Sequence, residues 1–192
     1  AQVTYFVREK YRRTLLEGMQ VQCLSGPKRG RHVFTQFELC TQIAQLSAQA
    51  WDQVWLCISS PALYGDWLAE LVSKIGSATV IMLQPGINDY AHVTTLVPAE
   101  RVVYGMITLA SFHAPLPGDD EPAAMTWWFP PLSSAPFAGH RARTMAAINV
   151  LRRGGMGAKV VSDIIPQLRI GSGVLMPVIA TLEVAGWRFE TV

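Results

Sequence analysis

Three short stretches carry groups suited to holding a ligand. Arg8 closes the β-branched and aromatic run "QVTYFVR", Ser59 and Ser60 follow the apolar run "DQVWLCI", and Gln84, Pro85 and Gly86 follow "ATVIML". A guanidinium pairs with phosphate through two parallel hydrogen bonds. A glycine lets a ligand approach the main chain closely. Asn88, two residues past Gly86, suits a helix N-cap, and the N–H groups of such a helix can hold an anion. Taken singly, each of these is an ordinary loop residue. Groups that break bonds are scattered. His32, His92, His113 and His140 form no His-x-x-x-His pair, and there is no nucleophile elbow. His113, in a Pro-rich loop, reads as exposed, and the acidic "GDDE" (118–121) reads as a solvated turn. Cys23, Cys40 and Cys57 show no CxxC spacing, which predicts buried thiols in a reducing compartment.

The elements around these stretches give them a common address. "QVTYFVR" (2–8) reads as a strand and "EKYRRTLLEG" (9–18) as a short helix. "MQVQCL" and "RHVFTQF" flank the turn "GPKRGR" as a hairpin, and "CTQIAQLSAQA" reads as a short helix or loop. From residue 50 to 111 the pattern alternates: strand 52–58, helix 62–76, strand 78–83, helix "DYAHVTTLV", strand 101–111. That alternation specifies an α/β domain with a parallel sheet. Ligands of such sheets bind outside the carboxyl ends of the strands. Arg8, Ser59 with Ser60, and Gln84 to Gly86 then fall on one rim, where a dinucleotide lies.

The rest reads as a loop over 112–124, a strand "MTWWFP", a helix from Ser134, a short strand "AKVV" and a helical stretch from Ser162 to Gly186. Trp127 and Trp128 point to opposite faces of their strand, so one of them lines the cleft or a subunit contact. The change of pattern sets a domain boundary near residue 132. No G-x-G-x-x-G occurs, and "GGMG" (154–157) precedes a strand rather than following one, so it lacks the context of a phosphate turn. The apolar segment 173–187 is too short for a bilayer and carries Pro177 and Glu183. It reads as a buried helix, with Leu175, Val178, Ile179, Leu182 and Ala185 on one side and apolar surface for a further segment or partner subunit to cover. Half of the residues are hydrophobic and 16% are charged, so a sizeable core is attainable and disorder is disfavoured. A net charge of +2 makes no electrostatic case for nucleic acid or an anionic membrane.

In this order the segments "VTYFVR", "WDQVWLCISS", "TVIMLQPGIND", "ERVVYGMITLAS", "LRRGGMGAKVVSDI" and "LEVAGW" resemble the ketopantoate reductase family, the NADPH-dependent 2-oxoacid reductases. The resemblance implies a Rossmann-like parallel sheet domain over 1–132, lacking its first strand-helix unit and glycine turn in this chain. The start of an α-helical domain follows over 133–192. It implies NADP as cofactor, held by Arg8, Ser59, Ser60, Pro85, Gly86 and Ala110, and a small 2-oxo acid or related carbonyl as substrate. A cytoplasmic, homo-oligomeric enzyme of the pantothenate pathway, a dimer, is the corresponding expectation.

Three positions depart from the family pattern. Ser59 stands where the family has a lysine reaching the cofactor. Pro85 replaces the asparagine of the family's H/Q-N-G turn and has neither side-chain amide nor backbone N–H. The helix after Asp163 carries no lysine to act as the general acid; Arg169 supplies charge there but does not readily release a proton. The alternative to a divergent reductase is therefore a non-catalytic Rossmann-like protein that binds a nucleotide or a partner.

Overall fold

The computed structural model describes residues 2–26, 29–114, 124–170, 173–174 and 176–186. The expected "GDDE" turn lies outside them. Strand β1 (Thr4–Phe6) is shorter than the run that predicts it, and the following helix divides into a 3-10 turn (Glu9–Tyr11) and α1 (Arg12–Leu16). The expected hairpin forms as β2 (Met19–Cys23) and β3 (Gly30–Phe34), paired antiparallel. Then come β4 (Glu38–Cys40), a 3-10 segment (Ile43–Ala48) and β5 (Gln53–Leu56). A second 3-10 turn (Ser60–Tyr64) breaks at Gly65 before α2 (Trp67–Lys74). Strand β6 (Thr79–Met82), α3 (Asp89–Thr94) and β7 (Val102–Gly105) complete the alternation.

β5, β6 and β7 pair in parallel, as the alternating pattern predicts. β6 is buried at every residue, and its two faces serve two cores. Val80 and Met82 pack with Leu56, Leu63, Leu68 and Leu71. Ile81 packs with Val103, Phe137 and Ile148 on the other side. This is the period-two division of a strand covered on both faces.

Beyond β7 the structure corrects the sequence reading. The run expected as one strand over 101–111 is two. β7 stops at Gly105, and β8 (Ala110–Ala114) begins in a different sheet and takes up the first residues of the expected loop, the rest of which up to residue 123 lies outside the described residues. β9 (Ala124–Trp128) pairs with both β8 and β2, giving a four-stranded sheet in the order β3-β2-β9-β8. The stretch expected to turn helical from Ser134 begins as β10 (Ala135–Gly139), antiparallel to β7. Pro136 and Gly139 disfavour a strand in sequence terms, yet Ala135 and Phe137 are both wholly buried in it. Helix α4 (Arg141–Arg153) and β11 (Ala158–Val160) follow, and the sheet reads β11-β10-β7-β6-β5. It therefore continues past residue 132. Among the described residues β5 is its outer strand, and β1 pairs with β4 in a separate two-stranded sheet.

The final helices are α5 (Ile165–Ile170) and α6 (Met176–Val184). α6 is not the buried helix the sequence suggests. It has no buried residue, and Val178 is 51% exposed, because no described element packs closely over it. Of the cysteines, Cys23 and Cys40 are buried as expected, but Cys57 is exposed. Among the described residues no helix is long and apolar enough to cross a membrane.

Gly105 sits opposite Phe137 in the β7–β10 ladder, and a Cβ there would collide with the Phe137 ring. Gly105→Ala is expected to destabilise the fold by about 1–3 kcal/mol, the usual cost of overpacking. Urea denaturation checks it, and an unchanged midpoint would contradict this packing.

Candidate functional site

The last carbonyls of parallel strands run out of ladder partners, and a buried carbonyl needs a donor. At the rim of β5, β6 and β7 two side chains provide them. Gln84 is 1% exposed. Its Nε2 donates to the Leu56 carbonyl at 2.6 Å and the Ile58 carbonyl at 2.9 Å. Its Oε1 accepts the Leu83 N–H at 3.2 Å. Tyr104, at the end of β7, donates its hydroxyl to the carbonyls of Gln84 at 2.9 Å and Gly86 at 3.1 Å. Burial, and then the Asp89 carboxylate, push the Tyr104 phenol up to about 12, so it stays protonated and remains a donor.

Asp89 is buried at the start of α3. Its Oδ2 accepts the Gly86 N–H at 3.0 Å, and its Oδ1 accepts the Tyr64 hydroxyl at 3.3 Å. A Cβ on Gly86 would collide with this carboxylate. Two expectations change. Gly86 is required by its own neighbour, whatever ligand lies outside. The amino end of α3, expected to offer N–H groups to an anion behind Asn88, has six residues, no side-chain bond from Asn88 and a resident carboxylate. A second negative charge there would be repelled.

The Ser60–Tyr64 turn is fastened to the same corner. The Tyr64 ring stacks on His92 at 4.2 Å, and His92 Nε2 bonds the Leu63 carbonyl at 3.1 Å. Burial, followed by Asp89, raises the Tyr64 phenol above its ordinary value. Ser59 enters this turn with extended backbone (φ −71°, ψ 153°), and its hydroxyl makes no capping bond. Ser59 and Pro85 are exposed, Ser60 and Gly86 half-buried.

Arg8 stands two residues past β1, exposed, with its carbonyl accepting the Tyr11 N–H at 2.9 Å. The strand ends too early for Arg8 and Glu9 to alternate across it. Glu9 is engaged elsewhere: a hydrogen bond with Thr41, then the Arg12 guanidinium 3.5 Å away, hold its carboxyl below the usual range. Burial, and then the charge of a Cys57 thiolate, raise the Tyr5 phenol above its ordinary value. Ala110 is set apart from the others. It opens β8, exposed, opposite Trp128. The sequence reading missed Tyr104, Asp89 and Tyr64. A tyrosine at the end of a buried strand was the available signal, since a buried phenol needs a hydrogen-bond partner.

Three parallel strands, β5 to β7, within a mixed five-stranded sheet, with the candidate groups at their carboxyl ends, define an open α/β architecture. Solved structures narrow it. The chain matches a 2-dehydropantoate 2-reductase from Geobacter metallireducens with a TM-score of 0.64 and 16% identity, over 88% of this chain and 53% of that one. It matches the 2-dehydropantoate 2-reductase from Methylococcus capsulatus with a TM-score of 0.58 and 16% identity, over 85% and 50%. It also matches D-mandelate dehydrogenase, solved with NADH and anilino(oxo)acetate, with a TM-score of 0.59 and 15% identity, over 85% and 50%. The chain spans about half the length of these structures. No family profile and no curated protein sequence matches it. At this identity the likeness establishes the fold, which is that of the 2-dehydropantoate (ketopantoate) reductases.

Tyr104→Phe leaves the Gln84 and Gly86 carbonyls without a donor and is expected to cost about 1–3 kcal/mol. The wild-type phenol titrates higher folded than unfolded, so its contribution is complete below about pH 10 and falls away between about pH 10 and about pH 12. Stability measured across that range should lose this alkaline decline in the variant. An identical decline in both proteins would place the titration elsewhere.

Proposed function

We propose that this chain is the cofactor-binding part of a divergent reductase, one that transfers hydride from NADPH to the carbonyl of a 2-oxo acid. The observation that carries the reading is Arg8, an exposed guanidinium just past the end of β1 in a ketopantoate reductase fold. An arginine at that end of the first crossover unit accommodates the ribose 2′-phosphate, whereas an acidic residue would serve a free 2′-hydroxyl. Glu9, the competing acid, is committed to Arg12 and Thr41. The Ser59 and Ser60 hydroxyls and the main chain at Pro85 and Gly86 would line the path of the dinucleotide, with Ala110 beyond β7. The cofactor would supply the hydride; these residues would bind and orient. In the same reading α5 and α6 begin the helical second domain.

The second reading, a non-catalytic nucleotide- or partner-binding protein, is favoured by Ser59, Pro85 and the lysine-free α5. A positioned acid contributes roughly 10²–10⁴-fold and an oxyanion donor roughly 10²–10³-fold. Their loss predicts poor ketopantoate turnover, below the common range of about 1–10³ s⁻¹. Ser59→Lys alone should not restore it, because the acid on the second domain is still lacking.

Fluorescence titration should show NADPH preferred to NADH. Arg8→Ala should weaken NADPH binding by roughly 10–100-fold, the scale of a charge-assisted pair, and leave NADH almost unchanged. Equal affinities in the wild type, or a preference that survives the substitution, would remove Arg8 from the site. NADPH oxidation against a panel of 2-oxo acids then separates the reductase from the binding protein.

A further inference from the structure

A cavity of about 380 Å³ opens on the same rim, on the far side of β7 from β6. Strand direction puts it there. β10 runs antiparallel to β7 with Phe137 opposite Gly105, so the residues leading into β10 rise past the carboxyl end of β7. Ser133 marks the level, donating its hydroxyl to the Thr108 carbonyl at 3.1 Å. β11 is parallel to β10, so its lead-in, Met156 and Gly157, stands at the same end. The Ala135 N–H fixes it by donating to the Gly157 carbonyl at 2.9 Å. A Cβ on Gly157 would sit 2.8 Å from the Ser133 carbonyl, so the glycine is what lets this loop close down. The "GGMG" stretch thus builds a cavity wall.

The lining has a definite chemistry. Trp128, 40% exposed, Phe129 and Met156 supply apolar and aromatic wall. Neither ring stacks on another among the described residues. Of the hydroxyls, Ser25 accepts the Phe129 N–H at 2.8 Å and Ser133 serves Thr108, so both are engaged with their own chain. Among the described residues no ionisable side chain lines the space. Its volume is in the range of small-molecule sites, about 300–1,000 Å³. An uncharged planar group fits these walls, with ring faces available for offset stacking. Thr108, three residues past the end of β7, brings the cavity to the carboxyl end of the strand that pairs with β6.

We propose that this cavity receives the aryl group of the substrate, which makes the preferred substrates 2-oxo acids with an aromatic side group. The proposal rests on the reductase reading for its chemistry, but binding in the cavity does not depend on it. The test is therefore made without cofactor. Phenylpyruvate and pyruvate are titrated into isotopically labelled protein, followed by backbone and indole NMR shifts. Phenylpyruvate should shift Thr108, Trp128, Phe129, Met156 and Gly157, and pyruvate should not. Trp128→Ala should weaken phenylpyruvate by about tenfold. The wild-type shift map decides even if that variant folds poorly. Shifts confined to other residues, or equal shifts from both acids, would overturn the pocket. If phenylpyruvate binds there while no 2-oxo acid supports NADPH oxidation, the reductase reading fails and the pocket stands.

Discussion

One glutamine and one tyrosine hold the working end of this sheet together. Gln84 reaches sideways from β6 to two carbonyls at the end of β5, and Tyr104 reaches from β7 to the main chain of the β6 turn. Each bond is made where the ladder has run out, and at the two buried ones, to the Leu56 and Gln84 carbonyls, an unmade bond carries the full cost of a stranded carbonyl. The positions of Ser59, Pro85 and Gly86 follow from this tie. Asp89 then draws the turn inward and fastens Tyr64 to it. The corner is fully satisfied internally, which suits a rigid platform: ligand groups outside it need not reorganise what lies beneath.

The same internal satisfaction changes what the rim can bind. A helix N-terminus facing outward would attract phosphate, but the buried Asp89 closes this one. Positive charge for an anionic ligand would have to come from elsewhere, and in the proposed reading Arg8 supplies it beside β1. Hydroxyls and main chain, rather than lysine and amide, border the middle of the path. A surface of this kind is poorly equipped to stabilise developing charge.

The alternating half of the fold was legible because β5, β6 and β7 are continuous apolar runs with helices of clear period between them. The second half was not, for reasons that lie in particular residues. β7 ends at Gly105 within a mostly apolar run, and the Phe137 ring takes the space a Cβ on that residue would fill. That constraint comes from a residue more than thirty positions away. Pro136 and Gly139 hide a central strand behind residues that usually end one. Val178 and its neighbours carry a helix period, but period does not say whether anything packs over the helix. At the site, Arg8 and Ser59 could be named from strand ends alone. The role of Asp89 could not, because only the fold brings its carboxylate onto the Gly86 N–H and the Tyr64 hydroxyl.

β5 is the outer strand of the five-stranded sheet, and the β1–β4 pair is not hydrogen bonded to it. Its sequence, Gln-Val-Trp-Leu, has none of the lysines, prolines or bulges that usually blunt such an edge. Three of its residues, Gln53, Val54 and Trp55, are also only half-buried. An edge of this kind is a template. It accepts a further extended segment in register, and the chain handled by itself at high concentration carries a ready site for strand-to-strand self-association. Colloidal behaviour would then be governed by four backbone residues, with Asp52 the one charge adjoining them in sequence.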